Sequence, residues 1–272
     1  MVIYACVNMI LFRSKYIFTL ILMFCSVFMF AQGEIETLRE PDKYNENSFG
    51  FKLNSNGWGL DYRFSQRINH RLRNFYEAEI GFVKDPKEIK VVNPYLTVQK
   101  KFVFGKINSF QHLKLGVGFN RMLLEKRDRG SISVHHHWSA GGILGVEKPI
   151  YYELVDSTIV INDKRYYYTG IHRLDIHRYN PTDVVSKAPF VNGLSEIQLV
   201  PGIFIKTGFS FDFSRNVLKS NVIESGVAFD YYFRSVEIMA ENYNNMFLSV
   251  YISYRFGSKY DSQLSREARK DL

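Results

Sequence analysis

The chain has 272 residues, is 46% hydrophobic and 16% aromatic, and carries a formal net charge of +8. That length suits one large β domain, and bases scattered among acids rather than massed in one run exclude an extended nucleic-acid-binding face. The only two cysteines, Cys6 and Cys25, stand near the N-terminus, so the rest of the chain can build neither a disulfide nor a cysteine metal site.

The first segment reads as an export signal. Arg13 and Lys15 precede the apolar run YIFTLILMFCSVFMF, which ends before Ala31-Gln32. Residues 1–31 therefore have the outline of a cleaved secretory signal peptide, and the run is too short for a comfortable membrane-spanning helix. Met29 stands where such a site prefers a small residue, which keeps an uncleaved N-terminal anchor as the alternative. Acylation at Cys25 would need a small residue before it, and Phe24 is there. The initiator is Met1 or Met9. Residues 32–46 are polar and are expected as a loose periplasmic lead-in.

Period-two alternation begins after this segment. Residues 48–54 place Phe49, Phe51 and Leu53 opposite Gly50, Lys52 and Asn54. Ser55-Asn56-Gly57 is a tight-turn signal. Residues 58–65 then oppose Trp58, Leu60, Tyr62 and Phe64 to Gly59, Asp61, Arg63 and Ser65. A third strand over 73–82 sends Tyr76, Ala78, Ile80 and Phe82 one way and Glu77, Glu79 and Gly81 the other. After the charged loop KDPKEIK, a less regular fourth strand is expected over 95–104. Residues 111–122 give the cleanest alternation, Leu113, Leu115, Val117 and Phe119 against Lys114, Gly116, Gly118 and Asn120. A sixth strand starts at Ser131 and a seventh at Ile150, extending towards Ile161.

Residues 164–196 break the rhythm. Their centre is mixed in charge and punctuated by prolines, and they are expected as a long loop of the kind that carries function. Alternation resumes over 203–213, 223–233 and 245–256. In the last of these, Met246, Leu248, Val250, Ile252, Tyr254 and Phe256 share one face; Ser249, Ser253 and Arg255 share the other with Phe247 and Tyr251. Residues 258–272 form a charged tail in which 262–270 could be a short helix. The expectation is an all-β antiparallel transmembrane β-barrel over 47–257, of about ten strands within a range of 8–12, with both termini on one side.

A soluble β-sandwich would also alternate, but would bury its apolar face. Two features favour the barrel. Glycines recur on the polar face, as a narrow lumen holding long side chains requires, and large aromatics cluster near strand ends on the apolar face, as interface girdles do. The inward set is then Lys52, Asp61, Arg63, Glu77, Glu79, Lys114, Lys206, Asp212, Glu224, Asp230 and Arg255. Acids and bases nearly balance. In a small barrel they are expected to pair and close the lumen; the other reading is a polar conduit or a proton-linked site.

Chemistry-bearing motifs are sparse. His135 and His137 share a strand face and could share a metal, but no further ligand can be assigned from the sequence. His172, Asp175, His177, Asp183 and Ser186 lie in the long loop without a nucleophile motif around them, so neither catalytic residues nor a cofactor are expected. No phosphate-binding or dinucleotide-binding glycine loop is present.

The segments LNSNGWGLDYRF (53–64), DPKEIKVVNP (85–94), KFVFGKINSF (101–110), LKLGVGFNR (113–121), GVEKPIYYEL (145–154) and APFVNGLSEIQLVPGIFIKTGFSFDF (188–213) together resemble a group of outer-membrane β-barrel proteins of Bacteroidota with no established biochemical activity. The resemblance implies the barrel fold and an address in the outer membrane of a Gram-negative bacterium, and it carries over no catalytic residue. The expected role is that of a non-enzymatic structural or accessory subunit of an outer-membrane assembly, in protein insertion, secretion or surface display. Its contact surface would be residues 171–196. The alternatives are a small solute channel or transporter and a hydrolase at the barrel rim. Expected partners are outer-membrane lipid and the barrel-insertion machinery, which would read Tyr254 and Phe256 as an aromatic-ended last strand; nucleic acid is not expected.

Overall fold

The computed structural model describes residues 44–95, 100–126, 130–161, 164–216 and 218–261. In chain order the strands are β1 (Tyr44–Asn54), β2 (Gly57–Arg67), β3 (Leu72–Val83), β4 (Lys90–Val91), β5 (Phe102–Val103), β6 (Asn108–Leu124), β7 (Ser133–Pro149), β8 (Tyr151–Ile161), β9 (Lys164–Arg173), β10 (Val184–Lys187), β11 (Gln198–Asp212), β12 (Lys219–Glu237) and β13 (Tyr243–Asp261). Eight of these described strands close into an antiparallel barrel in the order β1-β13-β12-β11-β7-β6-β3-β2. Pairing of β1 with β13, from Tyr44↔Asp261 to Asn54↔Tyr251, makes the closure.

Burial distinguishes barrel from sandwich. Phe49, Leu60, Ile80, Leu115, Ile205 and Val250 are exposed on the outer wall, whereas Lys52, Glu79, Lys206, Glu224 and Arg255 are each no more than 2% exposed. A sandwich in water would hide the first set and expose the second. The inverted arrangement is what a closed sheet with an apolar surroundings-facing wall produces.

The strand count differs from the expected ten because two alternating stretches lie outside the wall. Of the fourth expected strand, only Phe102–Val103 is a strand among the described residues, pairing with Lys90–Val91; residues 96–99 lie outside them. This stretch lacks an unbroken apolar face, and Phe102 packs into a separate core instead. The seventh expected strand forms as β8, but its apolar residues Tyr152 and Leu154 face inward. That suits a sheet in water, and β8 indeed joins a three-stranded sheet of order β10-β8-β9.

The expected long loop is thus largely built. Residues 164–173 pair along β8, from Tyr151↔Arg173 to Ile161↔Lys164, and residues 184–187 pair on its other edge. The run of tyrosines in β9 supplies strand propensity that the neighbouring charges and prolines masked. The barrel also reaches past both expected bounds. Residues 44–46 pair with 259–261, so part of the expected lead-in and of the expected tail is wall. The expected signal peptide, the rest of the lead-in and the possible helix over 262–270 lie outside the described residues.

Termini and the short connections β2–β3, β6–β7 and β11–β12 share one end of the barrel. The opposite end carries the longer connections, residues 84–107 and 150–197. These two connections share a core of Phe102, Ile150, Tyr152, Leu154, Leu174 and Val184. Asn93 ties them by donating to the carbonyls of Thr182, at 2.6 Å, and Val184, at 2.9 Å. They therefore form a folded cap over one mouth of the barrel.

Candidate functional site

The lumen is organised around ten buried charges, five basic (Lys52, Arg63, Lys114, Lys206, Arg255) and five acidic (Asp61, Glu77, Glu79, Glu224, Asp230). Alternation puts each on the inner face of its strand, and closure brings strands remote in sequence within reach. Arg63 of β2 contacts Glu224 of β12 at 2.6 Å and Glu77 of β3 at 3.3 Å. Arg255 of β13 pairs with Asp61 and lies 3.4 Å from Glu224. Lys52 pairs with Glu79, and Lys114 lies 2.8 Å from Asp230 and 3.8 Å from Glu79. Lys206 joins the two groups, 2.8 Å from Glu77 and 3.8 Å from Glu79. The ten charges thus form one continuous network.

Asp212, the eleventh residue of the expected inward set, sits apart at the termini end. It takes Lys126 at 2.8 Å and Lys259 at 3.2 Å, beside the Arg73–Glu46 pair at 3.1 Å. Towards the capped end the lumen changes character. Val83, Phe110, Ile143, Val200, Phe204, Tyr232, Val236 and Ile238 pack as an apolar layer across it.

Phe75 and Phe204 are inward aromatics that alternation alone did not single out. Their signal is the glycine opposite. A methyl group on Gly118 would stand 2.4 Å from the Phe75 ring, and one on Gly116 would stand 2.6 Å from the Phe204 ring. Phe75 in turn lies under the Arg63 guanidinium, 4.1 Å from ring centre to charge, a favourable arrangement for a cation shielded from water.

His135 and His137 both point inward but serve separate neighbours. His135 Nε2 lies 3.1 Å from Ser133 Oγ. His137 Nε2 lies 2.7 Å from the Tyr251 hydroxyl and its Nδ1 lies 2.8 Å from Ser210 Oγ. Ser210 also donates to Glu224 at 3.2 Å. A neutral His137 protonated at Nδ1 satisfies the whole chain: Tyr251 donates to His137, His137 to Ser210, and Ser210 to Glu224. In that direction the serine hydroxyl points its hydrogen at a carboxylate rather than at the imidazole, so these side chains form a hydrogen-bond chain across the lumen. Among the described residues no group of three or more His, Cys, Asp or Glu side chains is arranged to hold a metal ion.

The polar residues of the loop end are not brought together. His172 pairs with Asp156 at 3.1 Å and His177 with Glu241 at 3.3 Å. Asp175 accepts from the His177 amide, Asp183 from the Asn180 amide, and Ser186 donates to Glu153 at 2.9 Å. Each thus has a local structural partner.

The cap meets the wall at its margin, where Lys148 of β7 donates to the Asn192 carbonyl at 2.9 Å, and its two connections are joined to each other by polar contacts. The Tyr152 hydroxyl donates to the carbonyls of Val103 and Lys106, both at 2.9 Å, and burial pushes its pKa well above the usual phenol range. Within the wall below the cap, Asn108 of β6 donates to Glu147 of β7 at 2.8 Å and to the Glu237 carbonyl of β12 at 2.7 Å.

Among solved structures the chain is similar to Neisserial surface protein A (NspA), at 11% identity and a TM-score of 0.36 over 80% of this chain and 96% of that one. It is also similar to Ail, the attachment invasion locus protein of Yersinia pestis, at 8% identity and a TM-score of 0.37 over 80% of this chain and 99% of that one. A second Ail structure, in complex with the heparin analogue sucrose octasulfate, aligns at 9% identity and a TM-score of 0.37, over 80% of this chain and 98% of that one. No family model and no curated protein matches. At these identities and TM-scores the likeness says nothing of ligand or partner; the eight-stranded closure stands on this chain's own strand pairing.

Proposed function

We propose that the chain is an outer-membrane β-barrel that works by contact through its capped end rather than by conduction, as a structural or accessory subunit of an outer-membrane assembly. The observation that carries this reading is the filling of the lumen: ten mutually paired charges, an apolar layer above them and a folded cap over that mouth. The apolar outer wall supports a membrane setting, and the export signal with the resemblance to Bacteroidota barrels supports the outer membrane as the address. With the termini in the periplasm, the short connections lie on that side and the cap outside the cell, the usual arrangement of such barrels.

The β8–β9 hairpin is the strongest candidate for the contact surface. Tyr166, Tyr167, Tyr168 and Ile171 are exposed on it, and β9 is an edge strand of its sheet. Exposed aromatics on an unpaired edge are the features that partner strands and protein surfaces use.

Two measurements test the proposal. In planar bilayers the purified protein is expected to give no steady single-channel current; a large, steady conductance overturns the closed-lumen reading. After purification in mild detergent, the wild type is expected to bring a stoichiometric partner that is lost when β8–β9 is shortened to a turn. A protein that elutes alone overturns the accessory role.

A further inference from the structure

The outer wall near the termini end carries a groove that the proposed contact role does not use. Its volume is about 570 Å³, and Asn47, Phe49, Tyr62, Lys219, Asn221 and Phe256 are among its lining residues. We infer that this groove binds one phospholipid of the periplasmic leaflet, with phosphatidylethanolamine as the fitting headgroup. The inference rests on the membrane reading above.

The register explains how the groove arises. Across β2, β1, β13 and β12, Tyr62, Phe49, Phe256 and Asn221 are successive partners and form one outward row. The row nearer the termini contains Asn47, Ser258 and Lys219, also successive partners. A row of large aromatics therefore borders a row that is polar and partly small. Phe49 stacks at a tilt with Tyr62, ring centres 5.0 Å apart, and lies 6.4 Å from Phe256. Together they make an apolar bed that continues into the exposed apolar wall, as an acyl chain requires.

The polar row supplies the headgroup contacts. Lys219 is exposed and makes no ion pair among the described residues, whereas Lys126 and Lys259 at the same end are both spent on Asp212. Asn221 accepts from the Tyr254 hydroxyl at 3.3 Å, which leaves its amide N–H groups for another acceptor. A phosphate answers both. The Asn47 side-chain oxygen is shielded from solvent and has no hydrogen-bond partner among the described residues. It needs a donor, and a turn of the Asn47 amide into the groove that it lines presents the oxygen to the headgroup ammonium of phosphatidylethanolamine. A choline headgroup has no N–H to offer, so this oxygen makes the groove selective rather than merely anion-attracting.

The test uses the full chain refolded in detergent, with dioleoyl-phosphatidylethanolamine and dioleoyl-phosphatidylcholine added at equal ratio and bound lipid read by native mass spectrometry. The expected result is one retained phosphatidylethanolamine, favoured over phosphatidylcholine. Lys219→Ala should weaken its retention about fivefold, the worth of one basic residue at a lipid surface. Asn47→Leu should erase the headgroup preference while retention of phosphatidylcholine stays the same. Heat-modifiable gel mobility confirms that each variant is a closed barrel. Equal retention of the two lipids by the wild type, or unchanged retention by a folded Lys219→Ala variant, overturns the inference. Insertion into pure phosphatidylcholine vesicles, read by protease protection, checks the membrane reading separately: success there with no lipid preference rejects the groove alone, and failure there rejects both.

Discussion

The barrel wall and the cap sheet are built from the same period-two pattern and use it in opposite senses. In the wall, β11 turns Ile203, Ile205, Phe209 and Phe211 outward and hides Lys206, Ser210 and Asp212. In the cap, β8 hides Tyr152 and Leu154, and β10 hides Val184 in the same core. Alternation states that a strand has two unlike faces; the medium on each side decides which one is inside. A wall surrounded by hydrocarbon gains nothing by hiding leucine, so polarity is collected in the lumen. A cap in water gains the usual hydrophobic free energy from a dry apolar core.

The largest effect should come from breaking the lumen network at its most connected acid. Glu224 serves Arg63, Arg255 and Ser210 at once. Glu224→Ala leaves two buried guanidiniums sharing too little negative charge, and a broken buried pair costs about 3–5 kcal/mol. The midpoint of urea unfolding in detergent should fall accordingly, while Glu224→Gln, which keeps a hydrogen-bonding oxygen, should fall less. Equal midpoints for wild type and Glu224→Ala would mean that the lumen charges are hydrated rather than mutually dependent.

A smaller effect should come from placing one charge on each region's exposed surface. Ile205 lies midway along the outward row of β11, and Tyr168 lies on the cap hairpin; both are more than half exposed, at 57% and 58%. Exposure alone would predict equal tolerance. In a bilayer, Ile205→Arg should cost about 2–4 kcal/mol, the range for an arginine near the midplane, whereas Tyr168→Arg should change stability by no more than about 0.5 kcal/mol. Unfolding titrations in phospholipid vesicles would separate them. Equal cost for the two would place both surfaces in the same medium.

The contrast also explains what the sequence made legible. The eleven inward charges were readable because each occupies the polar face of a regular strand, and all eleven are buried. Their pairing was not readable, since Arg63 and Glu224 are brought together only by the closure of the barrel. The wall strands were readable from long apolar faces, but β8 alternates equally well, and only the inward direction of Leu154 excludes it from the wall. The cap was hidden for a related reason. Its core draws Phe102, Leu174 and Val184 from short or irregular pieces, none of which carries a periodic signal alone. The inward aromatics fell between these cases: Phe75 and Phe204 sit on otherwise polar faces, and the glycines that accommodate them, Gly118 and Gly116, were read only as room for long side chains.

The smallest effect on the barrel should follow from the deepest cut into the cap. Leu154 is wholly buried in the cap core, and Leu→Ala at such a site costs about 2–5 kcal/mol. That loss falls on the sheet β10-β8-β9, which shares no strand with the wall; the cap meets the wall through marginal hydrogen bonds such as Lys148 Nζ to the Asn192 carbonyl at 2.9 Å. The apolar layer inside the barrel has its own residues, from Val83 to Ile238, and shares none with the cap core. Leu154→Ala should therefore open the cap locally, seen as faster proteolysis within residues 151–187, while the barrel's unfolding free energy in urea stays within about 0.5 kcal/mol of wild type. Partner capture should drop with it, because the exposed tyrosines of β9 are held in place by β8. The lumen should remain non-conducting, because the ten paired charges and the apolar layer above them do not depend on the cap. Conductance appearing in Leu154→Ala would make the cap the true seal, and the filled lumen a consequence of capping rather than the closure itself.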